Sequence, residues 1–205
     1  MCSSKTARTA LLVPALCALA LCAGAPAAVA QQDSLYRLTL FTGGGFTRSL
    51  SAFEPAPPGL QLNGFSGFAR VMWQPEHLLS VGLEVGYHRV YGTEVENLDS
   101  PLGPVSGSSN LAAIPVQLMI SLPVIDNFAL WLGTGFAILV SDVEFFGSKT
   151  SVTSYTPYLF VAASYLHPVA EDLKVGADVR YYYADRYVDE GMSFHMMLAW
   201  TFHTY

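Results

Sequence analysis

Two groups of residues in this sequence are of types that could do chemistry. The first combines hydroxyl, imidazole and carboxylate: Ser80, Glu84 and His88 recur at a spacing of four, and Ser193 stands two residues before His195. A serine becomes a nucleophile when an imidazole takes its proton and an acid orients that imidazole, so the three groups must lie within hydrogen-bond reach. On a strand a spacing of four separates neighbours by about 13 Å, which removes the first set as a catalytic unit. Ser193 and His195 are closer but still need an acid. The second group is charge. Within KVGADVRYYY, residues 174–183, Lys174, Asp178 and Arg180 occupy even positions, while Val175, Ala177, Val179, Tyr181 and Tyr183 occupy odd ones. Two incompatible surfaces therefore run along one segment.

Other candidates carry less. His77 and His167 fall in turns, His203 lies at a strand end, and only His88 and His195 share the polar parity. Two histidines on nonadjacent strands without clustered carboxylates are too sparse a set for a metal, so no cofactor is called for. Glu94, Glu96 and Asp99, and separately Asp142 and Glu144 beside Phe145 and Phe146, could hold a Ca²⁺ ion or an adhesive contact. An ordinary solvated, anionic loop surface needs neither, and that reading is adopted. Gly43–Gly45 reads as relief of curvature or crowding in a strand.

The elements that position these residues announce themselves by alternation with period two. It recurs over residues 35–48, 63–73, 78–91, 110–122, 128–140, 153–166, 174–183 and 192–204. The third segment is the clearest, with Leu79, Val81, Leu83, Val85 and Tyr87 set against Ser80, Gly82, Glu84, Gly86 and His88. In 153–166 either parity could be the apolar one. Connections alternate between long (49–62, 92–109, 141–152) and tight (74–77, 123–127, 167–172), and the last link, 188–191, is short where the order predicts a long one. The expected fold is all-β, an eight-stranded antiparallel up-and-down barrel.

The ends and the charge balance narrow the class. Lys5 and Arg8 precede an apolar run that closes on Ala28-Val29-Ala30, which reads as a signal peptide over residues 1–30, with the barrel domain over 31–205. Leucine, not a small residue, precedes both Cys17 and Cys22, against a lipoprotein leader. Cleavage would remove all three cysteines with the leader, leaving no disulfide and no thiolate. It would also leave about eight basic residues against 16 acidic ones. Nucleic acid is excluded as a partner on that balance.

Energy chooses which parity faces outward. The polar faces hold Gly, Ser and Thr with isolated charges, not the dense Lys and Glu that coat a soluble strand, and the apolar faces end in aromatics: Tyr36, Trp73, Tyr87, Tyr181, Tyr183, Trp200 and Phe202. A strand of about 12 residues tilted by about 40° rises roughly 30 Å, enough to cross an apolar band of about 25 Å. A Lys or Arg facing lipid at mid-depth costs roughly 2–4 kcal/mol. Arg37, Arg70, Glu84, Lys174, Asp178 and Arg180 must therefore face the interior. An eight-stranded barrel is just wide enough for side chains to fill, so these six are expected to meet in one interior charge network, as a structural plug or as the lining of a narrow pore.

With these features the chain resembles small outer-membrane β-barrel proteins of Gram-negative bacteria, the broad class of OmpA-like and OmpX-like eight-stranded barrels. The run LAAIPVQLMISLPVIDNFALWLGTG is similar to that family's "IP" strand, tight turn and G-x-G strand. The resemblance implies residence in the cell outer membrane, insertion by the outer-membrane assembly machinery, termini in the periplasm and long loops outside. It also implies outer-membrane lipids as partners, a monomeric state and room for an extracellular ligand at the loops. Some barrels of this size modify lipids with a Ser-His-acid set, so a lipid hydrolase or acyltransferase is the alternative to a non-enzymatic structural, surface-interaction or narrow-pore role. One departure stands out. Such barrels end on an aromatic that continues the lipid-facing series, here Phe194 to Phe202 by twos, yet Tyr205 falls on the opposite parity. Either Phe202 is the terminal signal or the last residues bulge.

Overall fold

The computed structural model describes residues 36–50, 59–75, 79–100, 103–145, 148–184 and 189–205; the side chains of 96–100, 103–105 and 189 are not described. The leader reading, residues 1–30, lies outside this set. Nine strands are present among the described residues: β1 (Tyr36–Ser49), β2 (Leu60–Gln61), β3 (Asn63–Pro75), β4 (Ser80–Ser100), β5 (Gly103–Ile125), β6 (Phe128–Phe145), β7 (Ser148–Ala170), β8 (Leu173–Ala184) and β9 (Asp189–Thr204). Eight of them form a closed antiparallel ring, because β1 pairs with both β3 and β9 and the β4–β5 pairing completes the circuit. The two-residue β2 adds to the upper part of β4. Closure leaves no unpaired edge in the eight-stranded ring, which lets a sheet sit in a solvent that cannot hydrogen-bond to it.

The burial pattern is inverted relative to a soluble barrel. Leu83, Leu118 and Met196 are 61%, 65% and 63% exposed on the outer face, while Arg70, Glu84, Gln117 and Asp178 are buried inside. The ambiguous segment is settled as well. On β7, Tyr155, Leu159, Val161 and Tyr165 face out, and Tyr158, Phe160, Ala162 and Ser164 face in.

Two expectations about the connections need correction. Residues 92–109 and 141–152 are not long loops. The β4–β5 ladder runs up to Ser100↔Gly103 and the β6–β7 ladder to Phe145↔Ser148, so each forms a two-stranded ribbon standing above the ring. Alternation disappears there because both faces of a free ribbon meet water, and hydrophobic period is a signal of one-sided burial rather than of strand geometry. At the opposite end the links are tight. The β5–β6 turn is Asp126–Asn127, and Asn127 takes the left-handed φ of 68° that asparagine tolerates there.

The C-terminal parity is resolved by a bulge. Across β1 and β9, Leu38 pairs with His203 but Thr39 pairs with Thr201, so Phe202 is the extra residue. Beyond it Arg37 pairs with Thr204, and the Tyr205 amide donates to the Tyr36 carbonyl at 2.9 Å. The shift places Tyr205 beside Tyr36, in the outward series.

Candidate functional site

The ring holds a charged centre. Arg70 on β3 lies directly opposite Glu84 on β4, and Glu84 lies opposite Gln117 on β5. From the far wall, Arg180 on β8 donates to both Glu84 oxygens at 2.5 and 3.2 Å and contacts Asp178 at 3.3 Å. Arg70 donates to Asp178 at 3.1 Å, and Gln117 donates to Glu84 at 2.7 Å. The Arg70 Nε stands 3.2 Å from Glu84 yet out of hydrogen-bonding line, so that contact is ionic only. Two guanidiniums thus face two carboxylates with the formal charge balanced, which is the condition for burying them. Aromatic rings complete the enclosure: Arg70 sits 4.2 Å from the Phe68 ring and 4.3 Å from Trp131, and Arg180 sits 4.3 Å from Phe160. Rings take the guanidinium faces while carboxylates take the edges.

Asp178 also continues the network to a histidine and a serine. It pairs across strands with His195 on β9, whose Nδ1–H donates to Asp178 Oδ1 at 2.7 Å. On its other side, Nε2 of the same ring is hydrogen-bonded with the Ser66 hydroxyl. Ser66 and His195 lie on β3 and β9 with β1 between them, both opposite Gly45. A side chain at 45 would collide with the Phe194 carbonyl and His195. The missing side chain is what lets Ser66 and His195 touch across the intervening strand.

This Ser-His-Asp connectivity matches that of a hydrolytic triad, set beside a very small cavity. Ser66 is 3% exposed, and the cavity it lines with His88, Arg180, Ser193 and His195 holds about 10 Å³, the space of one water. Above it His88, Tyr158 and Tyr182 pack ring to ring with centroids 4.6–5.8 Å apart, and Tyr182 is tied to Thr47 at 3.1 Å. Asp178 moreover shares its second oxygen with two arginines.

The family model described as "Outer membrane protein beta-barrel domain" matches residues 15–202. The chain belongs to that family. No curated protein matches the sequence. Among solved structures, a major outer membrane protein from Thermus thermophilus is similar at 14% identity, with a TM-score of 0.54 over 82% of this chain and 99% of that one. Ail, the attachment invasion locus protein of Yersinia pestis, follows at 9% identity and a TM-score of 0.48 over 85% and 100%. Neisserial surface protein A gives 16% identity and a TM-score of 0.43 over 82% and 97%. At such identities the likeness speaks to the fold. The protein is an outer-membrane β-barrel.

In this barrel the six expected interior charges divide into two sets. Arg70, Glu84, Asp178 and Arg180 form the buried centre. Arg37 and Lys174 do not join it, which corrects the expectation of one network. They lie near the turn end, are exposed, and line a separate vestibule of about 270 Å³ with Gln74, Glu171, Asp172, Thr201 and Thr204. A charge at an open mouth stays hydrated and needs no partner. The named aromatics fall at two heights. Tyr36, Trp73, Trp200 and Phe202 stand at the turn end, where Tyr36 stacks on Trp73 at 5.5 Å, and Tyr87, Tyr181 and Tyr183 stand toward the ribbons.

Among the described residues the loop acids do not assemble. Asp142 sits 3.9 Å from Lys149 on the β6–β7 ribbon, Glu94 is exposed on β4, and the side chains of Glu96, Asp99 and Phe146 lie outside the described set. Among the described residues no three His, Cys, Asp or Glu side chains converge as metal ligands. Sequence reading missed Ser66 and Gln117. Both sit on the inward parity, but their partners are set by strand register, which alternation alone does not encode.

Proposed function

We propose that this outer-membrane barrel is a sealed, non-enzymatic wall element, monomeric in the membrane, whose contacts are made at its lipid face and ribbon end. One observation carries the reading. The Arg70–Glu84–Asp178–Arg180 cluster reaches from β3 and β4 to β8 across the lumen, with Phe68, Trp131 and Phe160 closing the space around it. A conduit would have to part ion pairs that are buried on every side. Insertion by the outer-membrane assembly machinery fits β9, whose bulge returns Tyr205 to the outer series. An extracellular ligand, if one is engaged, would meet the β4–β5 and β6–β7 ribbons.

The second reading, a lipid hydrolase or acyltransferase, has the Ser66–His195–Asp178 alignment in its favour and the water-sized cavity beside Ser66 against it. Planar-bilayer recording of the refolded protein tests the seal. The wild type is expected to give no stepwise conductance, and Glu84→Ala with Arg180→Ala is expected to open small steps. Regular ohmic steps from the wild type would overturn the sealed reading in favour of the narrow pore.

A further inference from the structure

Of the six described Lys and Arg residues on the barrel wall, Arg70 and Arg180 turn inward and Arg37 and Lys174 sit at the turn-end mouth. Arg48 and Arg89 are different. On β4, Arg89 continues the outward series Leu79, Val81, Leu83, Val85, Tyr87, and on β1, Arg48 continues the series that begins at Leu38 and passes Phe46. Arg89 lies ten residues beyond Leu79, and Arg48 ten beyond Leu38. At about 3.3 Å per residue and a tilt of about 40°, ten residues rise about 25 Å, the full height of the apolar band. Both guanidiniums therefore stand at the rim of the lipid face on the ribbon side. That end faces the exterior in barrels with short periplasmic turns.

Arg89 is seated, not loose. Its terminal nitrogen donates to Asn110 Oδ1 at 2.7 Å. A register shift between Arg89 and Tyr91 turns Gly92 to the same face opposite Asn110, and a side chain at 92 would occupy the space of the guanidinium. The Arg89 Nε is buried and has no hydrogen-bond acceptor. Arg48 is exposed and forms no ion pair among the described residues.

The surface beneath is apolar and aromatic. Phe46 is 76% exposed and Phe65 61%, and the two are cross-strand partners, with Phe46 also opposite Phe194 and with Gly64, next to Phe65 in the chain, close against Arg89. Arg48 and Arg89 are two strands and two residues apart, about 12 Å between their Cα atoms. Asn63 lies between them, paired with Arg48.

We infer that this patch binds a diphosphorylated glycolipid of the outer leaflet, one phosphate to each of Arg48 and Arg89, sugar hydroxyls to the Asn63 and Asn110 amides, and acyl chains along Phe46 and Phe65. Two separated cations select two phosphates, and guanidinium binds each in bidentate fashion. The patch gives the lipid partnership a location. It rests on the outer-membrane placement but not on the sealed lumen, so an open pore in the bilayer recording would leave it standing.

Native mass spectrometry of the refolded full chain, titrated with diphosphoryl lipid A, dephosphorylated lipid A or phosphatidylglycerol, tests the inference. Diphosphoryl lipid A is expected to be retained in preference to the other two. Arg48→Gln with Arg89→Gln should weaken its retention about tenfold or more, and Lys174→Gln, at the opposite end, should not. Arg48→Lys with Arg89→Lys keeps the charge and should bind with intermediate strength, which guards against a glutamine variant that fails to fold. Equal retention of dephosphorylated lipid A or phosphatidylglycerol, or undiminished binding by a folded double-glutamine variant, would sink the proposal.

Discussion

Arg180 shows what one residue does inside this barrel. It bridges to Glu84 with two hydrogen bonds, touches Asp178, and lies over Phe160 and Phe68. Replacement by methionine keeps much of the side-chain volume and leaves two carboxylates facing one guanidinium. Removing one member of a buried pair costs about 3–5 kcal/mol, mostly for the charge left behind. Arg180→Met is therefore expected to lower the unfolding free energy of the refolded barrel, measured by urea titration, by that order. Arg180→Met with Glu84→Gln should cost less than the two single changes added, because the double variant restores the balance of charge. Additive losses would show that the two side chains act independently.

At the scale of the element, a strand here is a wall with two solvents. On β4 the outward Leu83 lies about 10 Å above Leu79 by strand rise, near the middle of the band, whereas Arg89 stands at its rim. The same substitution should thus have different costs at different heights. Leu83→Arg is expected to destabilise by about 2–4 kcal/mol, against about 0–1 kcal/mol for an arginine near the interface. Loss of heat-modifiable migration on gels at lower temperature is the readout. A Leu83→Arg variant as robust as the wild type would contradict the outward placement of Leu83. The ribbons obey neither rule: β4–β5 and β6–β7 remain hydrogen-bonded above the band without any apolar period.

For the molecule as a whole, the question is whether a triad in a filled lumen does any chemistry. Ser66, His195 and Asp178 are aligned, but an acyl group has to reach Ser66 past Tyr158, Tyr182 and His88. A positioning role within the hydrogen-bond network accounts for the same contacts. Cells carrying Ser66→Ala in place of the wild-type chain are expected to have unchanged lipid A and phospholipid composition, measured by mass spectrometry of extracted lipids. A species that disappears with Ser66→Ala and returns with the wild type would establish the enzyme instead.

The sequence by itself determined the class: period-two alternation in eight segments, the aromatic ends of the apolar faces, and the cost of turning Lys174, Asp178 and Arg180 toward lipid left little besides a membrane barrel. Those are local signals, since each strand carries its own two faces. What it left open was the register between strands. The division of the six charges into a buried four and a mouth pair depends on height, and so does the place of Arg89 at the rim. The meeting of Ser66 with His195 depends on Gly45 lying between them in register. The acid that His195 lacked in sequence is Asp178, 17 positions away and its direct cross-strand partner. Alternation says which face a side chain is on, and only the register of the closed ring says what it meets there.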